Sequence, residues 1–202
     1  MNKQKRSAPE EIIVMKRFLV CVTLLAAAAT LAAQQTAPKA PPKSPAATES
    51  ATIGGKIITI IYSSPRVNGR AGHIFTKDGL IGHDKTYPVW RAGANAATIL
   101  QTDADLDVGD PAVRLPKGSY SLYVDISDPD HWVLIVNKQT GQGGLTYDPT
   151  QDLVRAKMAM DTPPSPVEEL KYTLKPFGGS GNIAKLTLTW ENHSASVLLF
   201  LK

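Results

Sequence analysis

The stretch Ala184-Lys185-Leu186-Thr187-Leu188-Thr189-Trp190-Glu191 decides the fold. Its apolar side chains (Ala184, Leu186, Leu188, Trp190) alternate without a break against Lys185, Thr187, Thr189 and Glu191. Successive side chains of an extended chain point to opposite faces, so a period of two predicts a strand with one buried face. An amphipathic helix would instead space its apolar residues three and four apart.

The same pattern recurs outward from this stretch. Leu170, Tyr172 and Leu174 alternate against Glu169, Lys171 and Thr173, and Val154, Ala156, Met158 and Met160 against Arg155, Lys157, Ala159 and Asp161. Tyr120, Leu122, Val124 and Ile126 alternate against Ser119, Ser121, Tyr123 and Asp125, which predicts a half-buried strand. Residues 56–63 (KIITIIYS) are rich in β-branched side chains, and residues 132–136 (WVLIV) form an apolar run that predicts a strand covered on both faces. Residues 97–102 and 196–201 read as further strands, and 72–75 and 112–115 as short ones. Turns separate them at Asn68-Gly69, Lys77-Asp78-Gly79, residues 107–110, Pro116-Lys117-Gly118, residues 178–181 and Asn192-His193. Connections this short join antiparallel neighbours, because a parallel crossover needs a dozen or more residues. The expected fold is all-β: an antiparallel β-sandwich, jelly-roll-like or an open barrel, over residues 53–202.

The N-terminal part of the 202-residue chain is of another kind. Lys16 and Arg17 precede an apolar run from Phe18 to Ala33, broken by Thr23 and Thr30, and Ala32-Ala33 lead into Gln34-Gln35. Charged, then apolar, then small is the order of a secretory signal peptide. Residues 18–33 are too few to span a bilayer, which takes roughly 20 apolar residues. Residues 1–33 are therefore expected to be a signal peptide, with translation starting at Met15, since a start at Met1 gives a long n-region containing Glu10 and Glu11. The domain is then secreted or periplasmic, with no stable membrane span after cleavage. Residues 34–52, dominated by Pro, Ala and small polar residues, are expected to be a disordered linker.

The formal charge of +4 includes five basic and two acidic residues of the signal, so the mature domain carries +1. That near-neutral balance argues against nucleic acid as a partner. The single cysteine, Cys21, leaves with the signal, so the mature domain has neither disulfide nor thiol chemistry. A monomer stabilised by its core is expected.

Several motifs resemble one family. They are Tyr62 with Pro65, Gly69-Arg70, Ile74-Phe75, the stretch Trp90-Arg91-Ala92-Gly93-Ala94-Asn95-Ala96-Ala97-Thr98, Leu115-Pro116 followed by Gly118, Tyr120 and Leu122, and Tyr147-Asp148 followed by Asp152 and Arg155. Together they resemble the bacterial domain of unknown function 2911 over residues 53–201. The resemblance implies a β-rich domain of a secreted or envelope protein and supplies no established catalytic residue. Ala96 departs from it, standing where members often carry an acidic residue.

Trp90 to Thr98 is the densest concentration of specific side chains. Arg91 offers a rigid fork of five donors, Asn95 donors and an acceptor, Trp90 a flat face for stacking, and Gly93 a close backbone approach. With Arg70 and His73 they form the candidate ligand-binding set: Arg70, His73, Trp90, Arg91 and Asn95. The competing assignment is internal: Trp90 fills the core, Arg91 pairs with a buried carboxylate, and Asn95 holds a loop. His73, His83, His131 and His193 have no metal-site spacing, and His73 and His83-Asp84 would have to converge with Asp148 to build a site. Asp103, Asp105, Asp107 and Asp110 resemble a calcium loop, but Val108 and Arg114 stand where that loop needs Gly and Glu. Neither a G-x-S-x-G elbow nor a phosphate loop is present, and no cofactor or metal is expected. The expected function is a non-catalytic ligand-binding or structural module of the envelope whose partner is a glycan, a small anion or an envelope protein. The alternative is a secreted hydrolase or metal-dependent enzyme, with Arg91 clamping an anion beside Asn95 and His73 or His83 as acid/base.

Overall fold

In the computed structural model, which describes residues 42–202, the alternating stretch is a strand whose even-numbered side chains face inward. Ala184, Leu186, Leu188 and Trp190 are each at most 2% exposed. The strands among the described residues run, in chain order, β1 (Ala46–Ile53), β2 (Lys56–Ser63), β3 (Val89–Trp90), β4 (Thr98–Thr102), β5 (Leu106–Val108), β6 (Val113–Leu115) and β7 (Gly118–Asp125). They continue as β8 (Val133–Asn137), β9 (Asp152–Lys157), β10 (Ala159–Asp161), β11 (Val167–Pro176), β12 (Ile183–Glu191) and β13 (His193–Leu201). The signal peptide expected over residues 1–33 lies outside the described residues. Among those described, no helix is long and apolar enough to cross a membrane.

Two antiparallel sheets form the sandwich. One has seven strands in the order β1-β2-β4-β7-β8-β9, with β3 pairing β7 beyond the end of β4. The other has six, in the order β11-β12-β13-β5-β6, with β10 sharing the β13 edge with β5. The inner faces build one continuous core that includes Ile58, Ile60, Leu100, Leu122, Leu134, Leu186 and Leu199, with Trp90, Trp132 and Trp190 near one end. Each such side chain contributes roughly 1.5–3 kcal/mol by leaving water.

The structure corrects four expectations. Residues 46–52, assigned to the linker, are the edge strand β1, paired with β2 from Ala46↔Ser63 to Ile53↔Lys56. Gly54 and Gly55, both at positive φ, make the two-residue hairpin turn between them. β1 lacks an apolar face because its inward side is only half covered, and the Glu49 carboxylate there accepts the Leu174 amide of β11 at 2.9 Å. Residues 72–75 are not a strand but part of the run of turns between β2 and β3, although Ile74 is fully buried. Leu106–Val108, the second residue of which was expected to open a turn, is β5, pairing with the end of β13. Finally, β7 is covered on both faces: Ser121 and Tyr123 are 0% exposed. Tyr123, Ile135 and Ala97 form a second small cluster under the chain between β8 and β9, with Val89 and Tyr147 at its margin.

Candidate functional site

Trp90 ends β3 at 1% exposure, its ring stacked 5.9 Å from Trp190 and edge-on to Phe75 at 5.6 Å. Its buried indole N–H donates to the Gly93 carbonyl at 3.1 Å. The backbone then turns twice through the left-handed region, at Ala92 (φ 54°) and Asn95 (φ 61°). The Ala92 carbonyl accepts two hydroxyls, Thr98 at 2.9 Å and Tyr172 at 2.7 Å. Close approach explains the intervening glycine: a Cβ on Gly93 would lie 2.8 Å from Thr98 Oγ1 and 3.2 Å from the Ser63 carbonyl. Asn95, a residue type that tolerates positive φ, donates its side-chain amide to Ser63 Oγ at 3.3 Å and the Ser44 carbonyl at 3.4 Å. Its carbonyl accepts the Gly144 amide at 3.3 Å, which fastens the β8–β9 connection to this corner.

Arg91 faces Asp84, with Nη2 3.1 and 3.4 Å from the two carboxylate oxygens. The side chains are 18% and 16% exposed, so the guanidinium is neutralised and largely covered. The five candidate residues are thus placed unequally. Trp90 offers no face to a ligand, and Arg91 offers one edge. Asn95 is exposed but bonded within the chain. Arg70 is half-buried, donating from Nη2 to the Arg66 carbonyl at 2.8 Å while its Nε has no hydrogen-bond partner. His73 is exposed on the same turn-rich segment, its amide bonded to the Arg70 carbonyl at 2.9 Å.

A different pair meets at the β12–β13 hairpin. Glu191, expected on the solvent side, is 3% exposed, because its φ of 55° turns the side chain out of the strand's alternation. Its carboxylate accepts the Gly72 amide. His193 stacks on Trp132 (5.3 Å, 9° between planes) and leans on Phe75 at 4.7 Å. Its Nδ1 lies 3.8 Å from Glu191 Oε2, beyond hydrogen-bond reach, and is buried without a partner. Burial pushes the imidazole pKa below its ordinary value, and the Glu191 charge opposes that. The only trace of this pair in the sequence is a carboxylate at the end of an alternating run, next to Asn192.

The other acidic candidates, the exposed Asp110 apart, are engaged internally. Asp148 caps a short 3-10 turn (Pro149–Gln151), accepting the Thr150 amide and hydroxyl at 2.9 and 2.6 Å, which lowers its pKa. On the outer face of the seven-stranded sheet, Asp152 takes the Tyr147 hydroxyl at 2.7 Å, and Arg155 bridges Asp152 and Asp125 at 3.0 and 2.7 Å. Desolvation raises the Tyr147 phenol, keeping it a donor. Asp105 pairs with Arg114 at 2.9 Å and Asp107 with Lys202 at 2.7 Å, and Asp103 accepts the Ile57 amide at 2.8 Å. Among the described residues, no group of three or more His, Cys, Asp or Glu is placed to hold a metal ion.

The fold and these contacts define a two-sheet β-sandwich whose most specific sequence stretch is bonded inward at one corner. A family model described as "Protein of unknown function (DUF2911)" matches residues 44–199, and the chain belongs to that family. No curated protein and no solved structure matches it.

Proposed function

We propose that the protein is an exported, non-catalytic binding module of the bacterial envelope, in which the Trp90–Thr98 stretch locks the scaffold. The observation that carries this reading is the Ala92 carbonyl, held by Thr98 from one sheet and Tyr172 from the other. With the Trp90 indole buried and Arg91 neutralised by Asp84, the chemistry of the stretch is directed inward. Export rests on the charged, apolar and small-residue order of residues 16–35. The partner, a glycan, a small anion or an envelope protein, meets surface outside the lock.

The test expresses the full chain in a bacterium. Product should be recovered from periplasm or medium with an N-terminus near Gln34. Chromogenic esters, phosphates and glycosides should be turned over no faster in its presence than in a protein-free blank. A cytoplasmic product beginning at Met1 would overturn the export reading, and turnover above the blank the non-catalytic one.

The second reading, a hydrolase, is favoured by one observation: the half-buried His193 beside the buried carboxylate of Glu191. In that case His193 rather than His73 or His83 would be the acid/base, and turnover abolished by His193→Ala would establish it.

A further inference from the structure

The outer face of the six-stranded sheet carries an ordered array of side chains that the lock does not use. Antiparallel register aligns them in rows across the strands. Lys171, Thr189, Ser194 and Asp161 form one row; Thr173, Thr187, Ser196 and Ala159 form the next; Lys175, Lys185 and Leu198 form the third. Neighbouring rows lie two residues apart along each strand, and neighbouring strands about 4.8 Å apart. The middle of this face is therefore a patch of hydroxyls with lysines at its margins.

Two depressions lie along β13 on this face. One, of about 400 Å³, involves Asp161, Lys171, Thr189 and Ser194, walled by Pro163 and Pro164. The other, of about 280 Å³, involves Lys157, Lys185, Ser196, Leu198 and Phe177, with Asp110 at its rim. Ser194 and Ser196 point to the same side of β13, so the two depressions follow one another along the strand. Phe177, 45% exposed, stands at the far end.

Three physical features narrow the occupant. Lys175 and Lys185 sit directly opposite one another, and like charges in that position repel. Among the described residues, neither they nor Lys157 and Lys171 pair with a carboxylate, and the depressions are lined by three of these cations, Lys157, Lys171 and Lys185, against two acids, Asp161 and Asp110. An acidic group from outside would relieve the repulsion. β13 is paired along both flanks, by β12 and by β10 and β5, so a peptide finds no free edge to extend and a ligand is read by side chains alone. Hydroxyl donors and acceptors, flanking cations and an exposed aromatic ring together suit a chain of polar rings bearing acid groups.

We propose that this face binds an acidic oligosaccharide laid along β13, with Lys171 and Lys185 on its acid groups, Thr187, Thr189 and Ser194 on its hydroxyls, and Phe177 against a ring face, while the buried Ser196 donates to the Ala159 carbonyl at 3.5 Å. The proposal rests on the reading of the protein as a binding module and names the ligand class and surface.

The experiment is calorimetric titration of the full-length protein with tetragalacturonate, with a neutral glucose tetramer and poly-glutamate as controls. Wild type should bind tetragalacturonate in preference to both. The double variant Lys171→Glu/Lys185→Glu, altered at exposed positions, should lose affinity about tenfold or more. Phe177→Ala and Thr187→Val should each weaken it less, with circular dichroism unchanged. Equal binding of poly-glutamate would overturn the proposal in favour of a generic polyanion surface, and no binding of tetragalacturonate would overturn it outright. Binding that survives the double variant overturns this placement while leaving the binding-module reading intact. Failure of that reading is registered separately, by turnover in the substrate panel.

Discussion

The Tyr172 hydroxyl donates to the Ala92 carbonyl across 2.7 Å, joining β11 of the six-stranded sheet to the loop that leaves β3 of the seven-stranded one. Both residues are buried, and desolvation raises the phenol's pKa, so it stays protonated. Tyr172→Phe keeps the ring and removes the donor, while Thr98 still satisfies the carbonyl. The expected loss is about 1 kcal/mol, seen as a lower urea midpoint at unchanged slope. A midpoint equal to that of wild type would show that the bond contributes nothing.

Arg91 and Asp84 should behave as a coupled unit. Removing either side chain alone strands a charge that is mostly covered, at an expected cost of roughly 2–3 kcal/mol. The double variant Arg91→Ala/Asp84→Ala should cost less than the sum of the singles, by about 1–2 kcal/mol. Strict additivity in a denaturation cycle would show that the pair is not coupled.

His193 makes stability depend on pH in a definite direction. Its folded pKa lies below the ordinary 6.5, so under mildly acidic conditions the unfolded chain binds the proton first. Stability should therefore fall as pH drops from about 7 through 6.5 toward the folded pKa, then level off for this group. The lowered carboxylates Asp105, Asp107, Asp128 and Asp148 act only lower, losing their contribution as pH falls below their ordinary 3.8. Thermal melts of His193→Phe between pH 5 and 7 should show a flatter slope than wild type. An unchanged slope would assign the effect elsewhere.

Glu191 holds the turn-rich segment between β2 and β3 through the Gly72 amide. Glu191→Ala should release that segment while leaving the sheets intact. Limited trypsin digestion should then cut faster at Arg70, Lys77 and Lys85, with the far-ultraviolet spectrum preserved. Unchanged cutting would mean that the packing of Ile74 and Phe75 and the Arg91–Asp84 pair keep the segment in place without it.

Much of this architecture was legible because half-buried strands carry their geometry in their composition. β12 alternates visibly since Leu186, Leu188 and Trp190 have a core to fill and Thr187 and Thr189 do not. β1 was hidden for the opposite reason: its inward positions are Ala47, Glu49 and Ala51, held by backbone pairing to β2 rather than by burial. Its signal was the Gly54-Gly55 turn. The second covered face of β7 was equally hidden, because Ser121 and Tyr123 are polar enough to read as solvent-facing until the loop carrying Gln142 and Thr146 bonds to them.

The candidate site was legible by residue type and not by role. Arg91, Asn95 and Gly93 carry specific chemistry, yet whether an arginine serves a ligand or a neighbouring aspartate depends on contacts that span several turns. Glu191 shows the limit most clearly. Alternation places it outward, and a single backbone angle turns it inward.

The placement of β13 sets an order of assembly. This strand is the shared partner of β12 on one side and of β10 and β5 on the other, yet it follows all of them in the chain. The seven-stranded sheet is composed entirely of residues before 158, and so can form before β13 has been synthesised. The six-stranded sheet has to wait for β13, leaving β5, β10 and β12 without their common neighbour until then. Closure of the sandwich is therefore a late step, and until it occurs the edges of β5, β10 and β12 stay open to misplaced pairing.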